Sequence, residues 1–215
     1  MYTTEKGNGE IALIVAHPDD ETLWAGGTIL SNSFQRCFVL SLCRGGDPDR
    51  APRFKKALKE LGVKGSISDL NDGPEQILLE EGLMAQTIKK NLPDVLFDRI
   101  YTHSPLGEYT RHRRHEQTGR TVLKLWLSGD LQTKEIFLFA YEDGQHTYLP
   151  QSIEKAHIKV KLPELIWRKK YHIIADIYNF NEDSFEARTT PKIESFWHIT
   201  TRDEARDWLT KERSI

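Results

Sequence analysis

Cysteine is nearly absent: two residues in 215, Cys37 and Cys43, both in the apolar stretch "CFVLSLC". That excludes a small secreted scaffold stapled by disulfides. In an extended strand an even separation puts both side chains on one face, too far apart to bond. They are expected to be small core thiols in a reducing cytoplasm. Long apolar runs are absent too, and nothing approaches the roughly 20 residues that span a bilayer. The N-terminal "MYTTEKGNGE" lacks the basic-then-apolar order of a signal peptide. Charge of one sign is not in excess. The formal net charge is -2, which gives no pull toward nucleic acid or an anionic membrane surface. The local runs "RHRR" and "RKK" read as solvated faces. Internal repeats, low-complexity tracts and linkers are not found. The G-x-G-x-x-G and Walker spacings are missing around "WAGG", so Gly26 and Gly27 are expected to permit close helix–strand packing.

What is present alternates. "IALIVA" (11–16) reads as a buried strand and "ETLWAGGTILSNS" (21–33) as a helix. "RCFVLSLC" is a second strand, and "RFKKALKELG" has the apolar spacing of an amphipathic helix ended by Gly62. "GSISDL" is a short strand, a helix is expected from 75 to about 91, and "DRIYTH", "HEQTGRTVLKLWLSG" and "EIFLFAYED" continue as strand, helix and strand. Further on, "HIKVKL" alternates like a strand and "PELIWRKKYHIIADIYNF" is helical. Thr201 and Glu204 form a capping box for a terminal helix. Strands separated by helices predict an α/β fold, a mostly parallel sheet with helices on both faces, in one domain over 1–215. Ligands in such sheets gather beyond the carboxyl ends of the strands.

Two clusters sit at such ends. After "IALIVA" come His17, Pro18, Asp19, Asp20 and Glu21; "DRIYTH" ends on His103 and is followed by His112 and His115. Adjacent carboxylates repel and resist burial, so a cation or a chemical task is the expected reason for them. A hydrolytic zinc site needs about three nitrogen or oxygen ligands and an open position for water. His17 and Asp20 can face one ion, and a third ligand must come from the distal histidines. Asp19 points differently and is free to take a proton. Against this stand plainer roles: a helix cap for the aspartates, a solvated surface for His112 and His115, and a hydrogen-bonded strand end for His103. His146, His157, His172 and His198 have no companions. The aromatics Trp167, Tyr171, Tyr178, Phe180, Phe185, Phe196 and Trp197 form a packing layer or line a sugar pocket.

"AHPDDE" (16–21), joined to the distal "GEYT" and "HRRHE", resembles the PIG-L/LmbE-like zinc-dependent N-deacetylases. "RGG" after the second strand, "NDG" (71–73) and "YTH" support it, in consistent order over 11–143. Residues from about 144 onward then form a family-variable C-terminal part. The resemblance implies a Rossmann-like fold and removal of acetyl groups from N-acetylated amino sugars, among them glycolipid, thiol-cofactor and antibiotic precursors. It implies zinc, or Fe2+ or another divalent metal, on His17, Asp20 and His115, with a zinc-bound water as nucleophile. Asp19 is then the general base, and His112 stabilises the oxyanion or protonates the leaving amine. Arg53 and Asp72 by position, and Tyr109 more weakly, are candidate substrate contacts.

The sequence departs from the family pattern in two places. Arg113 and Arg114 stand where a proline and an aspartate are usual, and Thr110–Arg111 replaces a single small residue, shifting Tyr109. The first departure removes a carboxylate that would orient His112 and raise its basicity, unless Glu116 or another carboxylate substitutes. Two rivals remain at this point: another metal-dependent hydrolase, acting on phosphate esters, or a catalytically inactive Rossmann-like sugar-binding protein. The expected partner is a small-molecule N-acetylated amino sugar. A homo-oligomer is compatible with the sequence, although no stripe forces an interface.

Overall fold

The computed structural model describes residues 9–31, 36–109 and 111–211. The first eight residues of the polar N-terminus, the end of the helix read over 21–33 and Thr110 lie outside the described residues. The opening apolar run is β1 (Glu10–Val15), buried from Ile11 on. Continuous burial, rather than alternation, is what a strand covered on both faces requires. It is followed by α1 (Asp20–Ser31), β2 (Arg36–Cys43), α2 (Arg50–Leu61), β3 (Lys64–Leu70), α3 (Glu81–Asn91), β4 (Phe97–Thr102), α4 (Arg113–Ser128) and β5 (Thr133–Phe139). These five strands are parallel in the order β3-β2-β1-β4-β5. The strand order therefore reverses between β1 and β4. Their carboxyl ends lie side by side there, at the switch point where such sheets open a ligand crevice.

The C-terminal part completes the sheet. A small pair, β6 (Tyr141–Glu142) and β7 (Gln151–Ser152), precedes the edge strand β8 (Ile158–Lys161). α5 (Glu164–His172) runs on through a π-helical turn (Ile173–Ile177) to α6 (Phe185–Thr189). β9 (Ile193–Ile199) inserts antiparallel between β5 and β8, and α7 (Arg202–Thr210) ends the described chain. Thr201 and Glu204 form the expected capping box. Among the described residues no helix is long and apolar enough to cross a membrane.

Glu194 on β9 ties this part to α1. Its carboxylate accepts the backbone N–H groups of Gly27 and Thr28 at 2.7 and 2.6 Å, the Thr28 hydroxyl at 2.6 Å and the Lys170 ammonium at 2.7 Å. Both members of the ion pair are fully buried. A Cβ at Gly27 would sit 2.3 Å from Leu162, so this glycine serves close packing.

Two expectations are corrected. The helix read over 75–91 begins only at Glu81. The preceding segment is held open: Gln76 adopts a left-handed φ of 47°, and the Gln117 side chain pairs with the backbone of Leu79. Ile77 and Leu78 are thereby left 66% and 64% exposed. Cys37 and Cys43 do not share a face, because the β2–β3 register shifts between Ser41 and Cys43. Cys37 packs into the core layer with Leu13 and Phe54, Cys43 into the opposite layer with Leu40 and Ile100. β9 and α6 were not legible as elements.

Candidate active site

The turn after β1 is built to expose one carboxylate and turn back another. Asp19 has φ 112°, a conformation costing a non-glycine residue about 1–3 kcal/mol. Its carbonyl accepts the amides of Thr22 and Leu23 at 3.0 and 2.8 Å. Its own amide donates to Glu21 Oε2 at 3.0 Å. Glu21, fully buried, also accepts the hydroxyls of Thr22 and Tyr178 at 2.6 and 2.8 Å. The glutamate of the motif is thus a brace for Asp19. Asp20 opens α1 without capping it. Its Oδ2 accepts the His17 amide at 2.9 Å, and its Oδ1 accepts Trp24 Nε1 at 3.0 Å.

Asp20 Oδ2 is 3.2 Å from His17 Nδ1 and 3.3 Å from His115 Nε2, and those two nitrogens are 3.2 Å apart. This near-equilateral triangle joins residues 98 positions apart in sequence. Donors held about 2.05 Å from a tetrahedral cation lie about 3.3 Å from one another, so the set fits zinc or a similar divalent ion.

The outer nitrogens have carboxylate partners. Glu108, fully buried, takes His115 Nδ1 at 2.7 Å and His103 Nδ1 at 2.9 Å on Oε2, while Oε1 accepts the Ser104 amide. Asp72 Oδ1 lies 3.1 Å from His17 Nε2, and Asp72 Oδ2 accepts Arg44 at 2.9 Å. The Glu108 contact fixes the His115 tautomer that leaves a lone pair toward a metal, whereas Asp72 approaches His17 without an aligned hydrogen bond. Gly119 makes the Glu108–His115 contact reachable, since a Cβ there would sit 2.3 Å from the His103 carbonyl and push α4 away.

His103 also lies 3.3 Å from Asp20. Its Nε2 accepts the Ala16 amide at 3.0 Å, however, which occupies the lone pair a ligand would need. Burial lowers the basicity of His103 while Glu108 and Asp20 raise it to about 9. The Ala16 amide opposes that charge, and we assign the neutral form.

Beside the triangle opens a cleft of about 200 Å³, lined by Asp19, His112, Tyr109, Asp72, Arg44 and Arg50 and, from α6, Phe185 and Glu186. Of the sequence candidates, His17, Asp20, His115, Asp19, His112, Asp72 and Tyr109 converge here. Arg53 does not: its guanidinium bonds Asp49 and the Ile177 carbonyl. The arginine of α2 that reaches the cleft is Arg50, 3.1 Å from Asp19 Oδ2 and stacked 4.4 Å over Phe180. Glu21 and Glu108 lie in the quoted "AHPDDE" and "GEYT" but were given no role there, and Arg50 carried no signal in the sequence. His146, His157, His172 and His198 each have a hydrogen-bond or ion-pair partner elsewhere. Of the aromatics, Phe185 reaches the cleft, whereas Phe196 lies in the core and Trp197 packs on Trp208.

Burial and the neighbouring Asp20 raise Asp19 well above the usual carboxylate range, although Arg50 opposes them. Burial would raise Asp20 as well, but His115 and His103 hold it well below. His112 is different. Burial, His115 and His17 lower it to about 2, and its Nδ1 is buried with no hydrogen-bond partner among the described residues. Arg114, which stands where a carboxylate would help, is 1% exposed and points to Gln117 and the Ile77 carbonyl.

The family model described as PIG-L, GlcNAc-PI de-N-acetylase, matches residues 12–126, more than half of the chain. No match is found among curated proteins. Among solved structures, N,N'-diacetylchitobiose deacetylase from Pyrococcus horikoshii is 17% identical with a TM-score of 0.65, over 89% of this chain and 84% of that one. A deacetylase of the teicoplanin biosynthetic pathway is 13% identical with a TM-score of 0.63, over 90% and 99%. The 4-carboxy-2-hydroxymuconate hydratase from Pseudomonas putida KT2440 is 16% identical with a TM-score of 0.57, over 95% and 100%. These likenesses establish the shared fold. One of them is a hydratase, so the fold alone does not fix the reaction.

Proposed function

Since this chain belongs to the PIG-L family of de-N-acetylases, we propose that it hydrolyses the N-acetyl group of an N-acetylated amino sugar or its glycoside, using a divalent cation held by His17, Asp20 and His115. The observation that carries this reading is the 3.2–3.3 Å donor triangle with Asp19 presented beside it on a strained backbone. A bound cation supplies Lewis acidity, making water a nucleophile near neutral pH and polarising the acetyl carbonyl.

Asp19 takes the proton of the attacking water as its oxygen bonds to the carbonyl carbon. The C–N bond then breaks, and Asp19 returns the proton to the amine nitrogen, releasing acetate and the free amino sugar. A carboxylate raised by burial suits both halves of that transfer. His112, kept neutral, acts as a hydrogen-bond donor to the carbonyl oxygen, not as the proton source for the amine. Of the two roles that the resemblance implies for His112, this keeps oxyanion stabilisation and drops protonation of the amine, because its Nδ1 has no carboxylate partner among the described residues. Arg50, Asp72, Phe185 and Glu186 offer a hydroxyl-binding and ring-packing wall of the size a sugar needs. Buried free thiols at Cys37 and Cys43 fit a reducing cytoplasm.

The test is metal content and acetate release on wild type and His115→Ala together. About one zinc or iron per chain in the wild type, lost with activity in the variant, is expected. Two metals per chain with phosphatase activity would replace this reading by the phosphate-ester one. Sugar binding without acetate release would favour the inactive binding protein.

A further inference from the structure

His17 faces two donor sets, one through each ring nitrogen. Toward Nδ1 stand Asp20 and His115. On the other side, His17, Asp72 and Cys43 each bring a donor atom within 4.8 Å of the other two. Nε2 and Asp72 Oδ1 face each other at 3.1 Å, and Nε2 is buried without a well-aligned hydrogen bond. Arg44 holds Asp72 by Oδ2, and Oδ1, which accepts Gln76 Nε2 at 3.0 Å, faces the imidazole. Cys43 reaches this place because the β2 register shift turns it out of phase with Cys37.

The two sets differ in chemistry. The first offers two nitrogens and an oxygen; the second offers nitrogen, oxygen and sulfur, and thiolate selects thiophilic ions. A neutral imidazole has one lone pair, so His17 can serve one set at a time.

We propose that Cys43, Asp72 and His17 form a second cation site, taking thiophilic divalent ions such as Cd2+ or excess Zn2+, that competes with the first site for His17. On binding, the Cys43 S–H proton passes to solvent as the sulfur–metal bond forms. The His17 proton moves to Nδ1, where it donates to Asp20 Oδ2. The first set is left with Asp20 and His115 and loses its ion. This competition rests on the proposed function only in assigning an ion to the first set.

The experiment titrates Cd2+ into the full-length protein, metal-free and zinc-loaded, reading ultraviolet cadmium–thiolate absorption and bound metal by mass spectrometry. In the wild type the thiolate band grows as zinc is released. It persists in Cys37→Ser and in His115→Ala, and falls to the level of free Cd2+ in Cys43→Ser. Cys43→Ala, with a small apolar side chain for this core position, repeats the loss, and circular dichroism confirms that each variant is folded. Absence of the band from the wild type, or its survival in both Cys43 variants, overturns the proposal. Zinc uptake without cadmium tests the first set by itself. A wild type that takes no zinc yet gives the Cys43-dependent band would end the proposed function while supporting the second site.

Discussion

Glu108 Oε2 lies 2.7 Å from Nδ1 of His115, and both residues are buried to within 1%. One carboxylate oxygen thereby sets the tautomer of the histidine whose other nitrogen completes the donor triangle. Glu108→Gln is expected to lower metal affinity about 10- to 100-fold, measured against a competing chelator. An unchanged affinity would mean that packing alone orients His115.

Asp19→Asn keeps the three donors and removes the proton carrier. Metal content should stay at the wild-type level while acetate release falls about a hundredfold or more. Turnover close to wild type would remove Asp19 from the mechanism.

Tyr178→Phe deletes the hydroxyl that donates to Glu21 from 157 residues away. A buried carboxylate oxygen then loses one donor, at a cost of about 1–3 kcal/mol in urea unfolding. The same variant should slow turnover, because Glu21 braces the Asp19 amide. Full stability in the variant would show that the Thr22 hydroxyl suffices.

Cys37 gives a stability signature in alkali. Burial pushes its thiol from 9.0 up to about 12. Between those values the folded chain keeps the proton and the unfolded chain has lost it. The contribution is therefore complete below the unfolded value and is lost as pH rises through the folded one. Cys37→Ala should flatten the fall of unfolding free energy across this window by up to about 1.4 kcal/mol per pH unit. Urea unfolding at a series of alkaline pH values reads it, and parallel slopes for the two proteins would contradict it.

The parallel half of the sheet was legible because β1 and β2 are short apolar runs bounded by turn residues, and α2 and α4 carry a clear helical period. The helix start near residue 75 misled because Ile77 and Leu78 supply apolar spacing while their side chains face solvent. β9, "IESFWHI", mixes polar and aromatic residues because it pairs on both sides yet buries only parts of each face. In the site, the donor types were visible as motif residues. Glu108 lay in the quoted "GEYT", but its role was not legible, since its partners His103 and His115 meet only through the fold. Arg53 and Arg50 lie three residues apart on α2, and only tertiary packing decides which one enters the cleft. The sequence showed that Arg114 replaces the usual carboxylate beside His112, leaving open whether Glu116 or another acid substitutes; that none reaches Nδ1 among the described residues, and that two histidines lower its basicity, needed the fold.

The Glu194 carboxylate that receives the Gly27 and Thr28 amides is made 166 residues after Thr28. At roughly 5–20 residues per second, ribosomal synthesis of that interval takes on the order of ten seconds or more. During that time the helix bearing Asp20 has every local residue it needs and none of its distal anchor. The nascent chain thus lacks this buried anchor of α1 until β9 emerges, and a chain cut short before β9 would leave the Gly27 and Thr28 amides without their carboxylate.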